Sequence, residues 1–384
     1  MNSSQPKIIT NLFKIAIFTY YFYCMESIPV KRTIILKVDS ERPEIDKISI
    51  AAEVIRRGGL VAFPTETVYG LGADALNPVA VRDIYLAKMR PLDNPIIVHV
   101  ADKNDVYKLA ENVPESAERL MNLFWPGPLT LILKASEIVP RVTTGGLDTI
   151  AIRMPKHTVA LSLIKMSERP IAAPSANLAG RPSPTLAEHV IQDLYGRIDV
   201  IIDAGPTNIG VESTVLDMTH EPPQILRPGG VTYEELKTVL GNIIIHPAAV
   251  ARSEVHVEHA RSPGMKHKHY APKAEMIVVE GKFDSIVEKV KELAEQYFRA
   301  GRRVGVLATD ESLQEYNFSL WTVKSLGSRS NLASAAKRLF RLLREFDEEG
   351  VDIIIAEGVP QEGLGLAIMN RLRRAAGYNI VRVD

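Results

Sequence analysis

Beginning at Ile34, short apolar runs alternate with amphipathic stretches at helical spacing, and this rhythm constrains the fold more than any other feature. It specifies strands interleaved with helices, an α/β or α+β architecture, and excludes an all-helical bundle or a β-sandwich. Ile45, Ile48, Ala52 and Ile55 recur at helical spacing, Gly58-Gly59 supplies a stop, and Leu60-Val-Ala-Phe63 reads as a buried strand that Pro64 ends. The same pattern predicts strands at 95–100, 129–133, 149–153, 170–173, 200–203 and 213–217, with helices in most of the gaps. No repeat or low-complexity block interrupts it.

Near Asn242 the rhythm lapses, and the stretch from Arg252 to Lys273 is rich in His, Lys and Arg, as a basic linker would be. Regular alternation then resumes: strand 276–280, helix 283–299, strand 304–308, helix 332–348, strand 351–355, helix 364–376. That succession predicts a small parallel sheet. A chain of 384 residues also exceeds what one hydrophobic core usually organises. The expected organisation is a larger domain over 25–241, a basic linker over 242–273 and a C-terminal α/β domain over 274–384.

Ile15-Ala-Ile-Phe-Thr-Tyr-Tyr-Phe-Tyr-Cys-Met25 superficially resembles a signal peptide or anchor. A spanning helix needs roughly 20 apolar residues, Lys14 interrupts the run, and Glu26-Ser27-Ile28-Pro29 offers no small-residue cleavage site. Met25 is therefore expected to be the natural initiator, with 1–24 a non-native or disordered extension and no membrane partner. Lys+Arg and Asp+Glu both number 46, so no global field draws the chain to nucleic acid or lipid, and any anion site must be local. One cysteine, Cys24, cannot close an intrachain disulfide or build a thiolate metal cluster, which fits a reducing cytoplasm.

The sequence carries no Walker A loop, Gly-x-Gly-x-x-Gly fingerprint, His-Glu-x-x-His or Gly-x-Ser-x-Gly. Any nucleotide must be held by scattered side chains and backbone. Lys88-Met-Arg-Pro-Leu-Asp-Asn-Pro95 sends two cations from a helix end into a loop stiffened by Pro91 and Pro95, which restricts where Arg90 and Asn94 can point. Taken singly, each cation is explained as well by the helix macrodipole. His99 faces away from Ile96 and Val98, and alone reads as a core histidine. In Thr149-Ile-Ala-Ile-Arg153, strand periodicity puts Thr149, Ala151 and Arg153 on one face. A partly buried Arg153 needs an anionic partner, either a substrate carboxylate or a distant Asp or Glu. Ile171-Ala-Ala-Pro-Ser-Ala-Asn177 runs into a turn followed by Gly180-Arg-Pro-Ser-Pro-Thr185, so Ser175, Asn177 and Ser183 lie where strand-end ligands commonly bind; turn and N-cap chemistry explains them too. In the linker, Ser262-Pro-Gly-Met-Lys-His-Lys-His-Tyr270-Ala-Pro272 combines Lys266, Lys268, two histidines and Tyr270, enough either to close over a nucleotide or to serve as a solvated basic connector touching RNA backbone.

Taken in order, Phe63-Pro-Thr-Glu-Thr-Val-Tyr-Gly-Leu-Gly72, Lys88-x-Arg-Pro-x-x-Asn-Pro95, Trp125-Pro-Gly-Pro-Leu-Thr130, Ala173-Pro-Ser-Ala-Asn177 and Gly210-Val-Glu-Ser-Thr-Val215 resemble the threonylcarbamoyl-AMP synthase family, in its longer two-domain form. The resemblance runs from about Ile45 to the C-terminus. It implies a YrdC-like α/β domain with a twisted mixed sheet and a smaller Rossmann-like parallel-sheet domain. It also implies a nucleotidyltransferase that turns L-threonine, bicarbonate and ATP into L-threonylcarbamoyl-AMP and pyrophosphate, the product passing to threonylcarbamoyl transferase proteins that modify tRNA. By motif, threonine would be held by Thr67, His99, Arg153, Ala173 and Ser213. ATP would be held by Lys88, Arg90, Asn94, Thr149, Ser175, Asn177, Ser183, Arg227 and Tyr270, with Lys88 and Arg90 as the catalytic cations. Mg2+ would arrive with the nucleotide, with no protein-only metal site. Met89 stands where a small or polar residue is expected. Two other classes compete: an RNA-binding module, which explains the charges but not Arg153 or the small-residue turn, and carbamoyl transfer in enzyme maturation, for which cysteine-rich fingers would be expected.

Overall fold

The computed structural model describes residues 30–92, 94–253, 261 and 269–384. The apolar run at 15–25, the extension expected at 1–24, and Lys266 and Lys268 lie outside the described residues.

Among the described residues, two sheets organise the chain. The first has eleven strands in the order Ile34–Lys37, Val200–Asp203, Val61–Phe63, Gly70–Asp74, Ile171–Ala172, Ile97–His99, Thr149–Arg153, Leu129–Lys134, Thr214–Asp217, Gln224–Arg227, Ile244–Ile245. Parallel and antiparallel ladders mix: Ile97–His99 runs parallel to Thr149–Arg153, and Leu129–Lys134 antiparallel to it. Alternation of side chains explains why helices cover both faces. Val61 and Phe63 pack with helices Ile45–Arg56 and Thr158–Ser167, whereas Leu60 and Ala62 pack with helices Pro78–Lys88, Glu115–Phe124 and Ala187–Leu194.

Strand Gly70–Asp74 has no apolar alternation to betray it. Its glycines serve closeness instead: a Cβ on Gly72 would sit 2.7 Å from both the Phe63 ring and Ile171. The expected linker also begins with structure of its own. Ile244–Ile245 adds a last strand to the first sheet, and helix Pro247–Val250 follows, started by Pro247 and capped by His246, whose Nδ1 accepts from the amide of Ala248.

The second sheet is fully parallel, in the order Thr322–Gly327, Val304–Thr309, Ile353–Glu357, Glu275–Glu280, Ile380–Arg382. Helix Phe283–Arg299 covers one face and helices Leu332–Glu349 and Gly365–Ala375 the other.

Val68 and Val211, from two motifs of the N-terminal half, belong to the same apolar cluster as Leu339, Phe340 and Leu372 of the C-terminal helices. Gly210 permits this approach, since at φ 85° a Cβ there would lie 2.4 Å from the carbonyl oxygen of Ala336. Buried ion pairs flank the contact: Arg344 meets Asp193 at 2.8 Å and Arg371 meets Glu212 at 2.8 Å. Among the described residues no helix is long and apolar enough to cross a membrane.

Candidate active site

Strands Ile97–His99 and Thr149–Arg153 run parallel with His99 opposite Arg153, so both end at one place. A cavity opens there. It is bordered by Thr67, Lys88, Arg90, His99, Arg153, Ala173, Ser175, Asn177, Ser213, Arg227 and Tyr270, with Glu212 and His269 among its other lining residues. Asn94, Thr149 and Ser183 are buried without bordering it. Thr149 stands at the opposite end of its strand from Arg153, and Ser183 connects to the wall by donating to Glu212 Oε1 at 2.6 Å.

Arg153 does find an acidic partner within the chain. Its guanidinium lies 2.7 Å from Glu66 Oε2, both side chains being almost wholly buried, and it also donates to Thr67 Oγ1 at 3.0 Å and to the Gly127 carbonyl at 3.2 Å. The internal salt bridge, one of the two explanations left open by the sequence, is thus present. Arg153 nevertheless borders the cavity, so a ligand carboxylate would join an existing pair. Glu66 was hidden because it sits far away in sequence, between two threonines.

His99 stands edge-on to Phe63, with ring centroids 6.3 Å apart. Burial, and then the cation of Arg153, push its pKa down to about 3, so the ring is neutral at ordinary pH. Ser213 shares a hydrogen bond with Thr130 at 2.8 Å and accepts from Arg227 at 3.1 Å. Arg153 bonded to Thr67, with His99 and Ser213 on the same cavity, forms a compact polar wall.

Helix Pro78–Lys88 delivers the other wall. Asn77 caps it, Pro78 occupies its first turn, and Met89 ends it in the left-handed region at φ 54°. The Met89 side chain points outward and is 39% exposed, so its bulk needs no room inside. Lys88 turns inward and donates to the carbonyls of Ser175 and Asn177, the latter at 2.6 Å. Burial, and then repulsion from Arg90, hold the Lys88 ammonium well below the usual lysine range. Arg90 donates to the carbonyls of Asn94 and Pro95 at 3.1 and 3.2 Å and lies over the Tyr85 ring.

Glu212 is the acidic residue that sequence reading passed over within its own motif. Burial alone would raise its pKa; Arg371 and Arg227 outweigh that and lower it. Tyr270 closes this side, packed 5.2 Å from the Phe340 ring. The cavity thus pairs three cations, Lys88, Arg90 and Arg227, with a compact polar wall around Arg153. It suits a ligand with a polyphosphate and a second, small ligand with a carboxylate.

Comparison with known proteins accords with this geometry. A family profile described as Telomere recombination matches residues 53–229, and one described as Threonylcarbamoyl-AMP synthase, C-terminal domain, matches 231–377. The chain is 55% identical to the threonylcarbamoyl-AMP synthase of Pyrococcus abyssi, over 91% of this chain and 100% of that one. It is 52% identical to that of Bacillus subtilis, over 88% and 94%. The crystal structure of a Pyrococcus abyssi homologue complexed with L-threonine superposes with a TM-score of 0.86 at 54% identity, covering 91% of this chain and 100% of that one.

Proposed function

The chain belongs to the threonylcarbamoyl-AMP synthase family, and from that premise we propose that it joins L-threonine, bicarbonate and ATP into L-threonylcarbamoyl-AMP, releasing pyrophosphate. The observation that carries the assignment to this cavity is that one lining holds Lys88, Arg90 and Arg227 together with the bonded pair Arg153 and Thr67.

In this reading Arg153 receives the threonine carboxylate beside Glu66, while Thr67, His99 and Ser213 orient the hydroxyl and amine. The neutral amine attacks bicarbonate; water leaves and a carbamate forms. A carbamate oxygen then attacks the α-phosphorus of ATP, the bond from that phosphorus to the bridging oxygen breaks, and pyrophosphate departs. No protein nucleophile is needed. Lys88 and Arg90, both buried, meet the charge that grows on phosphoryl oxygens. Neutral His99 can donate or accept one hydrogen bond without adding a second positive charge beside Arg153.

ATP would lie along Lys88, Arg90, Ser175, Asn177, Arg227 and Tyr270, with Asn94, Thr149 and Ser183 supporting from behind the surface. Lys88, Arg90 and Arg227 among these would meet phosphate oxygens and leave Mg2+ to phosphate and water ligands. We assign the reaction to residues 25–241, the connector to 242–273 and a docking or regulatory role to 274–384. The product would pass, in the cytoplasm, to threonylcarbamoyl transferase proteins that modify tRNA, with a weak tRNA contact through the basic connector.

The test is pyrophosphate release from ATP across a panel of amino acids, with and without bicarbonate. Release that depends on both threonine and bicarbonate is expected; release indifferent to either would overturn the reading.

A further inference from the structure

Helix Gly365–Ala375 ends in a cluster of arginines, a pattern that ordinarily marks a solvated face. Here Arg371, Arg373 and Arg374 are all at most 7% exposed. Arg373 pairs with Glu280 at 2.6 and 3.0 Å and donates to the Val250 carbonyl at 3.3 Å. Arg371 reaches further, into the loops around the cavity. Its Nε donates to Glu212 Oε2 at 2.8 Å, and one terminal nitrogen donates to the Pro228 carbonyl at 2.8 Å and to Asn370 Oδ1 at 2.9 Å. The same guanidinium lies 5.4 Å from the centre of the Tyr270 ring.

We propose that Arg371 is a positioning residue of the cavity, acting through Glu212, Pro228 and Tyr270 to hold its nucleotide side in shape. This rests on the reading above that Tyr270 and Arg227 face ATP.

Three observations support it. First, Arg371 is bonded to two loops that meet at Arg227: Glu212, whose charge acts on Arg227, lies in one, and Pro228 follows Arg227 in the other. Removing it would leave a buried carboxylate between Ser183 and Arg227 and free both loops at once. Second, Tyr270 stands at φ 65°, a left-handed backbone that a bulky residue adopts only where its surroundings dictate it. Those surroundings are Phe340 and Arg371 from the C-terminal helices, His269, and a bond from the Ala271 amide to the Gly180 carbonyl at 2.8 Å. Third, a fully buried guanidinium is a poor choice for stability alone, because apolar packing of equal volume usually serves as well. The C-terminal half is thereby a working wall of the site: docked, it holds Tyr270 over the cavity.

The test uses the full chain carrying Arg371→Met or Arg371→Lys, with thermal melts to verify folding and steady-state pyrophosphate release to read KM for each substrate. For the methionine variant the KM for ATP should rise about tenfold or more while that for threonine moves less than about twofold; lysine, which keeps the charge but lacks the fork, should fall between. Equal shifts in both KM values, or a loss of kcat alone in proportion to unfolded protein, would overturn the proposal. If the methionine variant does not fold, the lysine variant decides by the same split. If neither folds, Arg371 is structural and the proposal fails. A wild-type chain that ignores threonine and bicarbonate would instead defeat the underlying reading, which the variants do not touch.

Discussion

The ammonium of Lys88 lies 2.6 Å from the carbonyl oxygen of Asn177 and also donates to that of Ser175, so its hydrogen bonds go to neutral backbone in a buried setting where Arg90 opposes its charge more than Asp193 supports it. Such a charge is incomplete until an anion arrives.

A proton should therefore accompany the nucleotide. Burial and Arg90 lower the Lys88 pKa in the free protein, and a polyphosphate would raise it again, so binding on the alkaline side of neutrality should take up protons. Calorimetric titration with ATP in two buffers of different ionisation enthalpy measures this. Uptake should be larger in the wild type than in Lys88→Met; equal values in both would remove Lys88 from the nucleotide wall.

Arg153→Lys keeps a cation beside Glu66 but loses the fork that reaches Thr67 and Gly127 together. The threonine KM should rise roughly 10- to 100-fold with the ATP KM nearly unchanged. A rise shared by both substrates would argue that Arg153 supports the sheet rather than the ligand.

Acid should cost the fold something at His99. Its pKa is about 3 in the folded protein against 6.5 for the ordinary side chain, so below 6.5 the unfolded chain takes up a proton that the folded one refuses. Stability contributed by the neutral ring is complete above 6.5 and is lost as pH falls toward 3, by at most about 1.4 kcal/mol per pH unit. His99→Gln removes one such proton. Its deficit in melting temperature relative to wild type should narrow on acidification, and a constant deficit would contradict the assignment.

Gly210→Ala should destabilise by about 2–4 kcal/mol, since it combines a left-handed backbone with a Cβ driven into Ala336 and Lys337. Denaturant unfolding reads this directly. A loss under about 0.5 kcal/mol would mean that the two halves separate easily at this seam.

Much of the site was legible because its parts lie at strand and helix ends, where apolar periodicity stops and polar residues become conspicuous. His99 and Arg153 are last residues of adjacent strands, and Lys88 closes a helix. What escaped depends on contacts distant in sequence. Nothing near Arg153 announces Glu66, and Glu212 looks like one more polar turn residue until Arg371 is folded against it. Strand Gly70–Asp74 hid for the opposite reason: its side chains are small because its neighbours are close. Helix Gly365–Ala375 was visible as a helix, but which way its arginines face is decided by docking, which periodicity does not encode.

The apolar cluster shared by Val68, Val211 and the C-terminal helices also sets a timetable. The ribosome completes the first sheet before it has made helix Leu332–Glu349, so a nascent chain displays Val68 and Val211 to water, unmatched, while the rest is translated. A stalled or truncated product would expose an adhesive patch beside a half-built site, and chaperone demand during synthesis should track the delay before Phe340 emerges.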